Sequence, residues 1–282
     1  MKTVILGNGI LALSTAFQVA KKSKQNDEIV IIGKKTRPGS ATLAAAAMLN
    51  SFAEVEKGAL DHEIDFYRFE LSHLATRMWP KFILDILEHG SSNLPHGCKN
   101  CQGPCGGCFD KGTYIVNNTA SDYLDDENYE AIRNALRQFD EPFEEVSPSD
   151  IPNYNPEQRY RATRALYIPG EGWINPKLTM EVFDVAVSSF RCVRFVDEEV
   201  STLALGSDGA IANVVLKDGS VEQGDKYLLA SGATVTDLLE KSKIDIPIQR
   251  VFYGIGVSVE LHSPEYPHKK CVRTPNRGLA CG

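Results

Sequence analysis

The feature that most constrains the fold of this 282-residue chain stands at its start. The apolar run Val4-Ile5-Leu6 ends in Gly7-Asn8-Gly9-Ile10-Leu11-Ala12. From there Ile10, Leu13, Ala16, Phe17 and Ala20 recur at helical spacing over residues 9–22, and Glu28-Ile29-Val30-Ile31-Ile32 follows as a second buried-type strand. Strand, glycine turn, helix and strand in this order form a βαβ unit, which predicts a parallel sheet.

The turn has the pattern G-x-G-x-x-G/A in the context that gives the pattern meaning. Gly7 permits a tight turn, Gly9 lets backbone approach a pyrophosphate, and Ala12 keeps the helix close to the sheet. Ile10 and Leu11 lie in the first helical turn, whose N–H groups have no intrahelical acceptor and sit at the positive end of the helix dipole. The competing reading is a tight structural turn without a ligand. The acidic residue expected after the second strand, a partner for ribose hydroxyls, is absent. Gly33 stands there, followed by Lys34, Lys35 and Arg37. Lys34 and Lys35 could hold a 2′-phosphate, which favours NADP, or be solvated surface charges. The turn alone does not choose the cofactor.

Small residues fill 39–49 and favour helix, while also allowing backbone close to a ligand. Residues 58–89 read as one amphipathic helix or two joined near Pro80, and 91–110 as a loop. A strand is expected at 112–116, a helix at 125–139, a strand at 165–168, a turn at 169–175 and a helix from Pro176. Residues 193–229 alternate as a meander with turns at Ser207-Asp208-Gly209 and Asp218-Gly219. Tyr227 to Gly232 is a strand ending in glycine, and 250–261 another strand.

Composition excludes some functions. The net charge of −7 offers no broad basic surface for nucleic acid. No apolar run is long enough for a membrane span. Met1-Lys2-Thr3 leads straight into the first strand, without a secretory signal. The expected location is the cytoplasm, where the seven cysteines are reduced thiols or metal ligands.

Later segments carry a family resemblance. Thr42-Leu43-Ala44-Ala45-Ala46-Ala47-Met48-Leu49, with Ala53-Glu54 after it, resembles a block of glycine oxidases and related members of the D-amino acid oxidase family. Ala165 to Pro176, with Asn175 in place of an aspartate, resembles a further block. Glu199-Val200 and Leu229-Ala230-Ser231-Gly232-Ala233 resemble two more, in the family's order. The resemblance implies an α/β fold: a Rossmann-like FAD-binding domain interleaved with an α+β substrate domain on an antiparallel sheet. The boundaries it suggests are 1–92 and 172–245 for the FAD domain, 110–171 and 246–282 for the substrate domain, and 93–109 for a cysteine-rich loop. It implies FAD as cofactor. Thr42, Ala45, Ala46 and Met48 would lie along the pyrophosphate and flavin, Val200 at the adenine, and Ser231 and Gly232 under the dinucleotide. Ala47 replaces the family's usual glycine. The implied reaction is oxidation of an amine or amino acid C–N bond by hydride transfer to flavin, with oxygen as acceptor.

The family's chain runs on past the point where this one stops. Its later part supplies an arginine for the substrate carboxylate, and no matching segment is present here. A fragment, a truncated product and half of a split enzyme all fit, so a homo-oligomer or a complementing subunit stays open as partner. Arg250 and Arg273 are stand-ins for the clamp or ordinary surface residues, and Tyr253 is a site or core tyrosine. No catalytic residue is assigned.

Cys98, Cys101, Cys105 and Cys108, beside His96 and interleaved with glycines, have the spacing of a structural zinc site. An Fe–S cluster and free or disulfide-paired thiols are the alternatives. Cys192, Cys271 and Cys281 are dispersed and read as structural. Three functions remain: an FAD-dependent amine or amino acid oxidase, an NADP-dependent reductase, and a non-catalytic flavin-fold protein whose zinc loop docks a partner.

Overall fold

A computed structural model of the chain describes residues 1–90, 109–118, 120–252, 254, 259, 265, 268–275 and 280–281. Its elements begin with β1 (Lys2–Leu6), α1 (Ile10–Lys22), β2 (Glu28–Ile32), α2 (Ala41–Ala44), β3 (Met48–Leu49) and α3 (Glu63–Gly90). Next come β4 (Phe109–Asn118), α4 (Tyr123–Gln138), β5 (Glu144–Val146), β6 (Ala162–Ile174) and α5 (Pro176–Ser188). The chain continues through β7 (Val193–Val196), β8 (Val200–Leu205), β9 (Ile211–Leu216), β10 (Val221–Glu222), β11 (Lys226–Leu229), α6 (Val235–Lys241), β12 (Cys271–Arg273) and β13 (Ala280–Cys281). These form two compact units. The first takes the described residues of Met1–Ala45, Asp85–Pro95 and Lys177–Val257, and the second those of Ala46–Leu84, His96–Pro176 and Ser258–Gly282. By packing, residues 46–84 therefore group with the second unit.

The first unit is built on a four-stranded parallel sheet ordered β11-β1-β2-β7. β1 and β2 carry the continuous apolar runs Val4-Ile5-Leu6 and Ile29-Val30-Ile31-Ile32 because both faces are covered. Val4, Leu6, Val30 and Ile32 pack with Leu203, Val214 and Leu216 of the antiparallel sheet β10-β9-β8, and with Leu238 and Leu239 of α6. By alternation Ile5, Ile29 and Ile31 point to the other face, and they too are buried. α1 contacts β1 and β2 and buries Ala12, Leu13, Ala16, Phe17 and Ala20, the stripe expected from its spacing. Of the expected 193–229 meander only β8 to β10 is one. β7 and β11, at its ends, pair in parallel with β2 and β1 instead. The turns fall as read, with Gly209 and Gly219 at positive φ.

In the second unit the sheet runs β13-β12-β4-β6-β3, with β5 also on β6. Its pairs are antiparallel except β12 with β4. Ile115, Leu166 and Ile168 present one sheet face to Tyr129, Ile132, Ala135 and Leu136 of α4. α4 starts where Asp122 forms a capping box. Its carboxylate accepts from Leu124 and Asp125 N–H, while Asp125 accepts from Asp122 N–H.

Three local expectations are corrected, and between one helix and two around Pro80 the structure has one. The turn at 169–175 is part of the 13-residue strand β6. Lys111 pairs with Gly172 and Thr113 with Ile168, so Gly112 alone faces Pro169 to Glu171 across a bulge. A bulge tolerates proline, which has no N–H for the ladder. Gly172 is required because a Cβ there would lie 2.0 Å from the Asp110 carbonyl oxygen. Helix in the small-residue stretch is confined to α2, and Ala47 adopts φ +53. α3 is one helix with Pro80 inside it. Of 250–261, the described residues 250–252, 254 and 259 are not in a strand.

The bulge turns Glu171 inward. Its carboxylate, 2% exposed, accepts from the N–H groups of Ser51 (2.6 Å), Phe52 (2.5 Å) and Ala53 (3.3 Å) and from the Ser51 hydroxyl (3.2 Å). Burial pushes this carboxyl up from its ordinary 4.5 to about 7, against the opposing pull of those donors. The folded state therefore holds the proton more tightly than the unfolded chain. The stability linked to it is fully present below pH 4.5 and is lost as pH rises through about 7. Wild-type unfolding free energy should thus fall relative to E171Q by on the order of 3 kcal/mol between acid and about pH 8, measured by urea titration. Parallel pH profiles for the two proteins would contradict this.

Candidate functional site

The site of the first unit grows from the end of β1. The ladders run past the strands, with Gly7 N–H donating to the Ile32 carbonyl (2.8 Å) and Ala230 N–H to the Leu6 carbonyl (2.8 Å). Gly7 has φ +120, and a Cβ there would lie 2.3 Å from the Ala230 carbonyl oxygen. Only glycine fits. Gly9, the residue before α1, is extended and offers no side-chain cap. A Cβ on it would lie 3.3 Å from Thr42 Oγ1, which accepts from Ile10 N–H at 3.3 Å. Thr42, chosen from a different sequence block, thus borders the turn. The first turn of α1 has no acidic residue, Leu11 is exposed, and Ala12 is fully buried. Apart from the Ile10 N–H, the helix N-terminus is therefore left open for an anion.

Asn8 shapes the far side. Its Nδ2 donates to the Lys34 carbonyl (2.7 Å), and its side chain fills the space beside Gly33, where a Cβ would lie 2.7 Å from Asn8 Cγ. Arg37 donates from Nε to the Asn8 carbonyl (2.9 Å) and pairs with Asp184. A cavity of about 460 Å³ is bordered by Asn8, Lys35, Arg37, His89, Asp184 and Phe195. Lys34 is not a free cation. Its Nζ lies 3.0 Å from Glu198 Oε1 and 3.1 Å from the Asp197 carbonyl, and the Glu198 contact raises its pKa. Ser231 follows β11 with a buried hydroxyl that has no partner among the described residues. Gly232 has φ +61 and open space where a side chain would point. Val200 begins β8, partly buried against the core.

Ala45 follows α2 in the first unit, while Ala46 and Met48 belong to the second. Met48 pairs with Trp173, and its Sδ accepts from Cys271 Sγ at 3.0 Å. Arg273 corrects an expectation: it is 1% exposed, not a surface residue, and its guanidinium pairs with Glu54. A buried guanidinium needs a carboxylate partner, and this one is already engaged. Arg250 is exposed and pairs with Glu240. Tyr253 and Cys98, Cys101, Cys105 and Cys108 lie outside the described residues. Among the described residues no group of three or more His, Cys, Asp or Glu could hold a metal. Sequence reasoning missed Asn8, Glu171 and Glu198. For Glu198 the only signal was the missing acid at Gly33.

A glycine cradle, a helix N-terminus with no cap from its own N-cap residue and an orphaned buried hydroxyl are the features of a dinucleotide-binding α/β unit, and these groups suit a pyrophosphate. The chain belongs to the FAD-dependent oxidoreductase family: the family model DAO matches residues 2–279. Among solved structures it is similar to glycine oxidase from Geobacillus kaustophilus (20% identity, TM-score 0.63, 85% of this chain and 57% of that one). It is similar also to iminodiacetate oxidase from Chelativorans sp. BNC1 (21%, TM-score 0.61, 85% and 57%) and to L-amino acid deaminase from Proteus myxofaciens (16%, TM-score 0.61, 87% and 48%). At these identities the likeness shows the fold. The chain spans about half the length of these structures. No relative was found among curated proteins. Among the described residues, no helix is long and apolar enough to cross a membrane.

The two glycines should separate in their effects. G7A meets backbone at a positive φ and should lose at least about 2 kcal/mol of stability in denaturant titration. G9A has an ordinary backbone conformation and should stay within about 1 kcal/mol of wild type. Equal losses for both would contradict the geometry. At Ala47, whose φ is +53, A47G should raise stability by up to about 1 kcal/mol, because the left-handed strain exceeds the entropy glycine adds to the unfolded chain. A lower unfolding midpoint would show that the strain is absent.

Proposed function

We propose that this chain holds FAD along the turn from Gly7 to Ala12 and serves the oxidation of an amine or amino acid at its C–N bond. The observation that carries this is the convergence of Gly7, Gly9, the α1 N-terminus and the unpartnered Ser231 hydroxyl, in a chain of an FAD-dependent family. Bound there, FAD would supply a hydride acceptor for the carbon bearing the nitrogen, with oxygen as the proposed final acceptor. The protein's part is binding and orientation. Gly7 and Gly9 keep side chains away from the pyrophosphate, and the N–H groups of Leu11 and Ala12 face it, beside that of Ile10, which is shared with Thr42 Oγ1. Thr42 and the Ser231 hydroxyl bring hydrogen-bonding groups to the same edge, Gly232 leaves its own side open, and the Val200 backbone meets the adenine. Ala45, Ala46 and Met48 are assigned to the flavin on the family resemblance. The amine class is supported by the neighbours' names, which include a glycine oxidase and an L-amino acid deaminase.

The NADP reading loses ground because Lys34 is paired with Glu198. On spacing alone we assign Cys98, Cys101, Cys105 and Cys108 to structural zinc, with an Fe–S cluster as the alternative that metal analysis would separate. A homo-oligomer or a complementing subunit is the proposed protein partner, testable by the mass in solution.

The purified protein should show the flavin absorption band, or gain it on adding FAD, and should release hydrogen peroxide with some member of an amine and amino acid panel. G9A, which keeps the fold, should weaken FAD binding about tenfold or more in a fluorescence-quenching titration. Tight NADPH binding without any flavin binding would overturn the reading.

A further inference from the structure

The missing acid at the end of β2 has a replacement on the neighbouring strand. Gly33 cannot be the ribose partner, and the Asn8 side chain occupies the space where a longer residue would project. The ladder between β2 and β7 continues past both strands, with Gly33 N–H donating to the Val196 carbonyl (3.1 Å). This register sets Asp197 and Glu198 beside Lys34 and Lys35. Lys35 N–H donates to Asp197 Oδ1 (2.8 Å), which ties the two segments together. Glu198 Oε1 accepts from Glu199 N–H (2.8 Å) and meets Lys34 Nζ (3.0 Å). Among the described residues no protein donor reaches Oε2, and the side chain is 22% exposed.

We propose that Glu198, from the end of β7, supplies the carboxylate that accepts from the adenosine ribose hydroxyls and excludes a 2′-phosphate. The inference rests on the flavin reading above and names the residue that selects this cofactor's adenosine half. A vicinal diol offers two O–H donors, and a carboxylate with a free oxygen is their natural acceptor. The Glu199 N–H and the Lys34 ammonium hold the Glu198 carboxyl below the usual range, so it is ionised at neutral pH. The same ion pair neutralises Lys34, the cation that alone would have suited a 2′-phosphate. The sequence Gly33-Lys34-Lys35, which favours NADP when read by itself, thereby becomes selective against it.

The test compares wild type, E198Q, E198D and E199Q, the last a control on a neighbouring exposed carboxylate that pairs with Lys217. FAD is titrated by fluorescence quenching. ADP and adenosine 2′,5′-bisphosphate are titrated by calorimetry, and unfolding midpoints are taken for each protein. Wild type should bind FAD and prefer ADP to the bisphosphate. E198Q should keep its unfolding midpoint, weaken FAD and ADP about tenfold, and lose most of the preference because Lys34 is released. E198D should fall between, and E199Q should match wild type. If wild type binds FAD but E198Q keeps the wild-type ADP to bisphosphate ratio, this inference fails and the flavin reading stands. If wild type binds ADP selectively but not FAD, the flavin reading fails while the E198Q ratio still judges Glu198. A wild type that binds neither overturns both.

Discussion

The first unit depends on one close approach, that of Gly7 to the Ala230 carbonyl. β1 pairs with β2 on one side and β11 on the other, and the ladders on both sides run one step beyond the strands. The chain must then leave β1 immediately, with backbone against backbone. Glycine at φ +120 is what makes that exit possible. The exit fixes where α1 begins, and the small side chain of Ala12 lets the helix lie against the sheet. Together they put a helix N-terminus at the carboxyl ends of β1 and β11, where phosphates are held in such folds.

The second unit leans on a carboxylate in a comparable way. Three consecutive N–H groups at Ser51 to Ala53 are buried where no strand or helix satisfies them, and Glu171 does so from the bulge in β6. Leaving a buried N–H unpaired costs about 1–3 kcal/mol, so three of them outweigh the penalty of burying one carboxyl. The penalty persists as the raised Glu171 pKa. Gly170, Gly172 and Pro169 are thus parts of a device that aims one side chain.

What was legible in the sequence follows from the range of the interactions. β1, α1 and β2 were readable because their periods of 2 and 3.6 report burial locally. Gly7, Gly9 and Thr42 were singled out from the sequence and lie together at one turn, but nothing near Gly33 revealed that Asn8 fills its place. The strand through Pro169 to Trp173 was not readable, because proline and glycine signal a turn until the bulged partner strand is known. Arg273 reads as surface by residue type, and its partner Glu54 is far away in the chain. Lys34 reads as free for the same reason. α3 buries Phe69, Ile83 and Ile86 while exposing Ile64, Tyr67, Leu71, Leu74 and Met78. With apolar residues on two sides, its pattern could not tell which face is inward. The zinc assignment rests on spacing alone.

Amide hydrogen exchange with and without FAD tests whether the turn after β1 receives the dinucleotide. Slower exchange is expected at Ile10, Leu11, Ser231 and Gly232, the positions proposed to face the ligand, with little change in the β8 to β10 sheet away from Val200. FAD binding that leaves the exchange of those four amides unchanged would contradict that placement.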